Sequence, residues 1–485
     1  MEQAARPVSR RGFLLGVGGA AMLSACGGGG GAGGTSASAA TSGTAASTSS
    51  GMKVPLSIDL SQANLPAGAS TVAYAYIIGG LYTDAALTNF VCYRVHASGS
   101  VHAVALADNT QAAHSFPDPN GVVGTADTQT IDTAYPSAWA DYSIALSLSG
   151  PNYIELGNID TANIPGLGTG NNAFSMRVYI SLGIPKLPFT AQAGFTSAGV
   201  THVNPYAGPG FDTGTPGSLC LYDWFECSID SGGVLNGNTT YVDQFGMPLI
   251  VAAQPGASTQ GRLNVTRQQA LAAIAGFDQT VYKGLTQAVS APSAYPAGTS
   301  YLRAISPDHL SGLGLGSGLG ANFNTYFDTV IGSWNGKTIT VTDSSSGTFT
   351  CASPATGNWS FTDGTTTFSF TDVNTANIWQ CAGTMASGGA AQKNIGKQIL
   401  AAFNRGQMSD TGLAGITLSD ASCPAPVPDP YYQFAPSNLW AHSFHNWSTT
   451  GLAYGFAYDD VCAANPSFTT SGAMTSLSIT LGTMF

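Results

Sequence analysis

The chain has 485 residues, of which 44% are hydrophobic and only 8% charged, and its formal net charge is −11 at pH 7. That acidic balance argues against nucleic acid as a partner, because phosphate binding needs a basic surface. It suits a neutral polysaccharide held by hydrogen bonds and aromatic faces, and the length predicts one large domain or two ordinary ones.

In chain order, residues 1–26 read as a targeting segment. Ser9-Arg10-Arg11-Gly12-Phe13-Leu14 resembles a twin-arginine export signal and precedes an apolar run, Phe13 to Leu23, too short to span a bilayer. Leu23-Ser24-Ala25-Cys26 resembles a lipobox, which makes Cys26 the expected lipidation site and membrane anchor. Residues 27–52 are rich in Gly, Ser, Thr and Ala and read as a flexible tether. Localisation at the cell envelope or outside the cell follows from these features.

Residues 53–263 read as short strands between turns. Ser70 to Ile78 and Asp141 to Leu148 show β-branched and aromatic enrichment with partial alternation, the pattern of a β-sandwich or barrel. The texture changes at Asn264. Val265 to Phe277 is helical by composition, with Leu271, Ile274 and Phe277 spaced by three. Further helices are expected near Phe323 to Trp334 and over Ile395 to Asn404, with strands at Thr338 to Thr342 and Trp359 to Thr362. Residues 264–422 therefore read as a mixed α/β domain, and 423–485 as a segment returning to the first domain.

The stretch Leu221 to Leu249 contains two carboxylates 17 residues apart, Glu226 and Asp243, each in a strand-like run. Alternation puts Tyr222, Trp224, Glu226 and Ser228 on one strand face and Thr239, Tyr241 and Asp243 on another. A loop centred on Val234 and Leu235 would set Glu226 opposite Asp243. Paired carboxyls are the usual equipment for glycosidic hydrolysis. Retaining enzymes want about 5 Å between them and inverting ones about 6.5–9.5 Å, so a shift of register leaves the stereochemistry open.

Three motifs then carry a resemblance. Thr239 to Leu249 is similar to the "VSLVDGFNLPM" segment of thaumatin-like proteins, Tyr222 to Glu226 to the strand bearing their cleft glutamate, and Ala453 to Val461 to their "YSYAYDD" motif. Arg177 to Ser181 and Ala402 to Gly406 agree with the same assignment. The chain most resembles glycoside hydrolase family 64, the thaumatin-like bacterial β-1,3-glucanases. That resemblance implies a mainly β fold with an α/β part, in which a thaumatin-like β-sandwich or barrel and a mixed α/β domain form a wide cleft. It also implies hydrolysis of β-1,3-glucan of the laminarin or curdlan type by an inverting mechanism, Glu226 acting as general acid and Asp243 as general base. Ser228, Asp230 and Thr240 fall where the family binds sugar hydroxyls, Asp230 departing from the neutral residue expected. Tyr222, Trp224, Tyr241 and Tyr458 are candidate stacking platforms, and Asp459 falls near the implied cleft. A non-catalytic glucan-binding module is the alternative, and the presence of both carboxylates favours the enzyme.

Export permits disulfides. Setting Cys26 aside, sequence neighbours suggest Cys220–Cys227, Cys351–Cys381 and Cys423–Cys462, with Cys92 left over, although one extended strand would hold Cys220 and Cys227 apart. His442-Ser443-Phe444-His445 lacks a placed carboxylate or cysteine, and Gly312 to Gly320 has neither a dinucleotide spacing nor a phosphate-loop lysine. No metal, no cofactor and a monomeric state are expected.

Overall fold

A computed structural model describes residues 54–68, 71–112, 138–183, 185–210, 217–289, 295–313, 319–421, 423 and 431–485. The targeting segment, Cys26 and the tether lie outside the described residues. The strands that build the molecule are, in order, Pro55–Asp59 (β1), Ala73–Tyr82 (β2), Asn89–Val95 (β3), Pro151–Glu155 (β4), Phe174–Leu182 (β5), Leu221–Ile229 (β6), Val234–Asn238 (β7), Gln244–Phe245 (β8) and Leu249–Gln254 (β9). Helix Arg267–Ala275 (α1) follows, then Thr286–Ala288 (β10), Tyr301–Ile305 (β11) and helix Pro307–Leu313 (α2). A further set comprises Thr338–Asp343 (β12), Gly347–Cys351 (β13), Trp359–Thr362 (β14), Thr367–Phe370 (β15), helix Ala390–Asn404 (α3) and Gly415–Ser419 (β16). The chain closes with helix Leu439–Trp447 (α4), Phe468–Ala473 (β17) and Ser476–Leu481 (β18).

The protein is mainly β with a smaller α/β part. A ten-stranded sheet runs through β3–β2–β5–β6–β7–β17, and a four-stranded sheet, β9–β18–β1–β4, packs over one of its faces. The C-terminal β18 pairs with β1 on one side and β9 on the other, so distant parts of the chain meet in one sheet. Alternation sorts the residues. Ala73, Ala75 and Ile77 of β2, Met176, Val178 and Ile180 of β5, and Leu221 and Phe225 of β6 fill the core between the sheets. Tyr76, Tyr179, Tyr222 and Trp224 point the other way, into a second core continuous with the α/β part. Both faces of these central strands are therefore buried along much of their length, which is why their sequences alternate only in part.

In the α/β part, a five-stranded sheet ordered β15–β14–β13–β12–β16 packs against α3. Thr266 caps α1, its hydroxyl accepting from Gln269 N–H while Gln269 reaches back to Thr266 N–H, a capping box that starts the helix where the texture of the sequence changes. The expected helix near Phe323 to Trp334 is a 3-10 turn, Phe323–Thr325, followed by a short helix, Asp328–Ser333. The strand expected over Asp141 to Leu148 shrinks to Ile144–Leu146. His442 and His445 lie on α4, which the sequence reading missed.

Among the described residues the one disulfide is Cys423–Cys462. Cys92, Cys220, Cys227, Cys351 and Cys381 are buried thiols, which corrects the other two suggested pairs. Cys220 precedes β6 by one residue and Cys227 lies within it, roughly 23 Å apart at 3.3 Å per residue of extended chain, far beyond disulfide reach. No helix among the described residues is long and apolar enough to cross a membrane.

Candidate active site

On the face of the ten-stranded sheet turned away from the sandwich core, the register aligns Ile78, Arg177, Glu226 and Asn238 in one row. Arg177 donates to Glu226 Oε1 from Nε at 2.8 Å and also from a terminal guanidinium nitrogen, and Trp224 Nε1 donates to the same oxygen at 3.1 Å. The guanidinium lies 4.6 Å over the Trp224 ring. No described residue bonds Oε2, and the Glu226 side chain is 22% exposed. The sheet thus presents a glutamate with one oxygen fixed and the other open.

Asp243 reaches the site by another route. The chain reverses at Asp230 to Gly233, so Glu226 pairs with Asn238, and Asp243 lies beyond the end of β7. This corrects the expected pairing of Glu226 with Asp243 and the loop centred on Val234 and Leu235. The physical reason is turn chemistry: Asp230 Oδ1 accepts from Gly232 and Val234 N–H at 2.8 and 2.9 Å, and Gly233 takes φ +77°. Asp230 is accordingly the turn's capping residue.

The segment carrying Asp243 is held from three directions. Tyr241 N–H donates to Tyr454 O at 2.8 Å and Trp440 Nε1 to Tyr241 O at 3.0 Å, tying it to the C-terminal motif. Ser306 N–H donates to Asp243 O at 3.0 Å, and the Ser306 hydroxyl donates to Val242 O, tying it to the start of α2. Asp223 grips Gly246 and Met247 from β6. The Asp243 carboxylate itself accepts no hydrogen bond from a described residue and keeps 11% of its side chain exposed, with His309 Nδ1 at 3.9 Å.

Arg177 is the electrostatic centre. Burial works against its charge, but the Glu226 carboxylate first, then Tyr179 and Asp243, more than offset this and hold the guanidinium pKa above its ordinary value. Burial likewise raises the Tyr179 phenol, which Arg177 opposes and the two carboxylates reinforce. Glu226 is therefore paired with a buried, fixed cation. Among the described residues no group of three or more His, Cys, Asp or Glu is placed to hold a metal ion.

The remaining expected contacts separate. Ser228 sits one row beyond Glu226, opposite Ser175 and Asn236, and is buried. Thr240 is buried, and its hydroxyl accepts from Val242 N–H. Three aromatic platforms and Asp459 are corrected. Tyr222 is fully buried beneath Arg303 and donates to Pro209 O. Tyr241 stacks on Phe444 with centroids 4.1 Å apart, and Trp224 is spent on Arg177 and Glu226. Asp459 has no exposed surface. Its carboxylate takes Arg405 on Oδ1 and His445 and Gly455 N–H on Oδ2, a clasp within the C-terminal motif. These side chains face the covered part of the sheet and build the site's support. Tyr458 stays half-buried.

Sequence reasoning assigned no role to Arg177, Asn238, Asp223, Ser306 or His309. Arg177 left a signal: it is a cation in an apolar strand of a chain with only 15 lysines and arginines.

The family model for β-1,3-glucanases matches residues 87–481. The chain belongs to glycoside hydrolase family 64. Solved structures agree on the fold. A laminaripentaose-producing β-1,3-glucanase in complex with laminaritetraose aligns at TM-score 0.61 and 22% identity, over 89% of this chain and 99% of that one. A family 64 β-1,3-glucanase domain from Clostridium beijerinckii aligns at TM-score 0.61 and 23% identity, over 89% and 98%. The laminaripentaose-producing enzyme from Paenibacillus barengoltzii, complexed with laminarihexaose, aligns at TM-score 0.51 and 19% identity, over 89% and 76%. No curated protein matches the chain. This family 64 member is therefore a glycoside hydrolase acting on β-1,3-glucan. Glu226, held through one oxygen, and Asp243, buried to 8% exposure, are its candidate carboxylates.

Proposed function

We propose that the chain cleaves β-1,3-glucan by single displacement with inversion, Glu226 protonating the departing glycosidic oxygen and Asp243 activating the attacking water. The observation that carries this reading is the Glu226 carboxylate held through one oxygen by Arg177 and Trp224, with the partly exposed Asp243 carboxylate accepting no hydrogen bond from a described residue. Three donors fill Glu226 Oε1 and no described residue bonds Oε2, so the proton it would donate belongs on Oε2. As that proton leaves, the Arg177 guanidinium stabilises the carboxylate left behind. Asp243 has unfilled lone pairs and contact with solvent, as a base for water needs. Inversion is supported by register. Asn238, not Asp243, occupies the cross-strand position beside Glu226, so the roughly 5 Å spacing of a retaining pair is not imposed by the sheet.

Export by the twin-arginine-type signal and anchoring at Cys26 belong to the same proposal, supported by the motifs in residues 9–26.

The test is product release from laminarin and curdlan by wild type, Glu226→Gln and Asp243→Asn. Each variant is expected to lose roughly 10²–10⁴-fold in kcat, the usual contribution of a positioned acid or base. A wild type that binds glucan without cleaving it would return the chain to the binding-module reading, and a fully active Glu226→Gln would remove the acid assignment.

A further inference from the structure

We propose that Asp223 is a positioning residue for the hydrolysis, its buried carboxylate tying the strand that carries Glu226 to the turn that carries Asp243 and so setting the gap between acid and base. The inference rests on the two-carboxylate assignment above. Asp223 lies three residues before Glu226 on β6, on the opposite face, and is 3% exposed. Its Oδ2 accepts from Gly246 N–H at 2.7 Å and Met247 N–H at 3.0 Å, while Oδ1 accepts from Trp224 N–H at 2.9 Å. One carboxylate thus bonds the backbone of the Glu226 strand and the backbone just past Asp243.

The contact is close-fitting. A Cβ on Gly246 would stand 2.0 Å from Tyr222 O, so only glycine lets this turn lie against β6. Gln244 Nε2 donates to the same Tyr222 O at 3.1 Å. The Gly246 peptide is gripped at both ends, since its carbonyl accepts from Arg267 Nε. Gln244 and Phe245 are paired to Ile305 and Ala304 of β11, which leaves little freedom between the gripped glycine and Asp243. Ser306 ties Asp243 to the α/β part, whereas Asp223 ties it to the element that holds the acid.

The clamp is also titratable. The groups facing it are Arg303 on β11, Arg267 on α1 and the Tyr241 phenol. Burial pushes Asp223 up to about 7, against the pull of the three N–H groups and of Arg303. Below that pH it is protonated and accepts more weakly from Gly246 and Met247, so the gap loosens on the acid side.

The experiment compares kcat, KM and the pH profile of kcat on laminarihexaose for the full chain, Asp223→Asn and Gly246→Ala, with Glu226→Gln and Asp243→Asn alongside. An amide nitrogen at the Oδ2 position cannot accept from Gly246 and Met247. A misplacement near 1 Å costs about 10²-fold, so Asp223→Asn is expected to lose roughly that in kcat while KM stays within about threefold. The limb of the kcat profile near pH 7 disappears in the variant. Gly246→Ala pushes the same contact apart from the other side and is expected to show the same loss confined to kcat, which decides the matter if Asp223→Asn does not fold. Wild-type kcat and an unchanged profile in Asp223→Asn, or a loss appearing only in KM, overturn the proposal. If that happens while Glu226→Gln and Asp243→Asn are inactive, the clamp falls and the assignment stands. If either of those two retains full activity, the assignment itself falls and the clamp with it.

Discussion

Replacing Asp460 with Asn is expected to stabilise the folded chain at neutral and alkaline pH and to leave it nearly unchanged in acid. Asp460 is largely buried beside the Asp459 clasp, and its Oδ1 is sealed from water without a hydrogen-bond partner. Burial, reinforced by the neighbouring Asp459, raises its pKa from 3.8 to about 6 against the opposing pull of Lys397 and Arg405. The folded state therefore holds this proton more tightly than the unfolded state does. Stability falls as pH rises from about 4 to about 6, then stays lower above that range. The two values differ by about two pH units, which corresponds to an upper bound on the order of 3 kcal/mol. An unfolding entropy of about 2.1 cal/mol/K per residue gives roughly 1 kcal/mol/K for a chain of this size, so Tm should rise by about 3 °C. Thermal melts of wild type and Asp460→Asn by circular dichroism at pH 4 and pH 8 measure it. A gain of equal size at both pH values, or a loss at pH 8, would refute the reasoning.

Two further perturbations follow from other parts of the structure. Arg177→Met removes both bonds to Glu226 Oε1 and, on the proposed mechanism, the charge that stabilises the carboxylate left when the proton departs. At about 1.5–3 kcal/mol per bond to a charged group, the two bonds are worth about 3–6 kcal/mol, so kcat on laminarin should fall by roughly 10²–10⁴-fold with glucan binding largely kept, and an unchanged kcat would contradict the role. The Cys423–Cys462 bond closes a span of 39 residues. Replacing both cysteines with serine should cost about 4 kcal/mol in denaturant unfolding, with wild type in reductant matching the variant; no change would show that the tie does not constrain the unfolded chain.

Much of the architecture could be read from pattern. Composition at Asn264 located the first helix because Thr266 and Gln269 form a local capping box that needs no tertiary information. Trp359–Thr362 was legible as a strand because its alternation faces a core on one side only. The hairpin was misjudged because two strand-like runs suggested a symmetrical loop, whereas Asp230 and Gly233 turn the chain earlier. The Thr239 to Asp243 run looks like strand because of its β-branched residues, yet its backbone bonds go to Tyr454 and Ser306, more than 60 residues away in sequence. Alternation placed Tyr222, Trp224 and Glu226 on one face correctly. It could not show that a second core covers that face as far as Trp224 and leaves Glu226 at its margin. Arg177 became visible as the partner of Glu226 only through the pairing of β5 with β6, a long-range register that a single sequence does not encode locally.

The central claim is that Glu226 and Asp243 perform a single displacement across a gap that admits a water. The most direct measurement is the anomeric configuration of the first product released from laminarihexaose, followed by proton NMR before mutarotation equilibrates it. Inversion at a β-linkage predicts that the α-anomer appears first. Initial release of the β-anomer would contradict the account, because it would require a covalent intermediate on one carboxylate and a spacing the sheet does not impose.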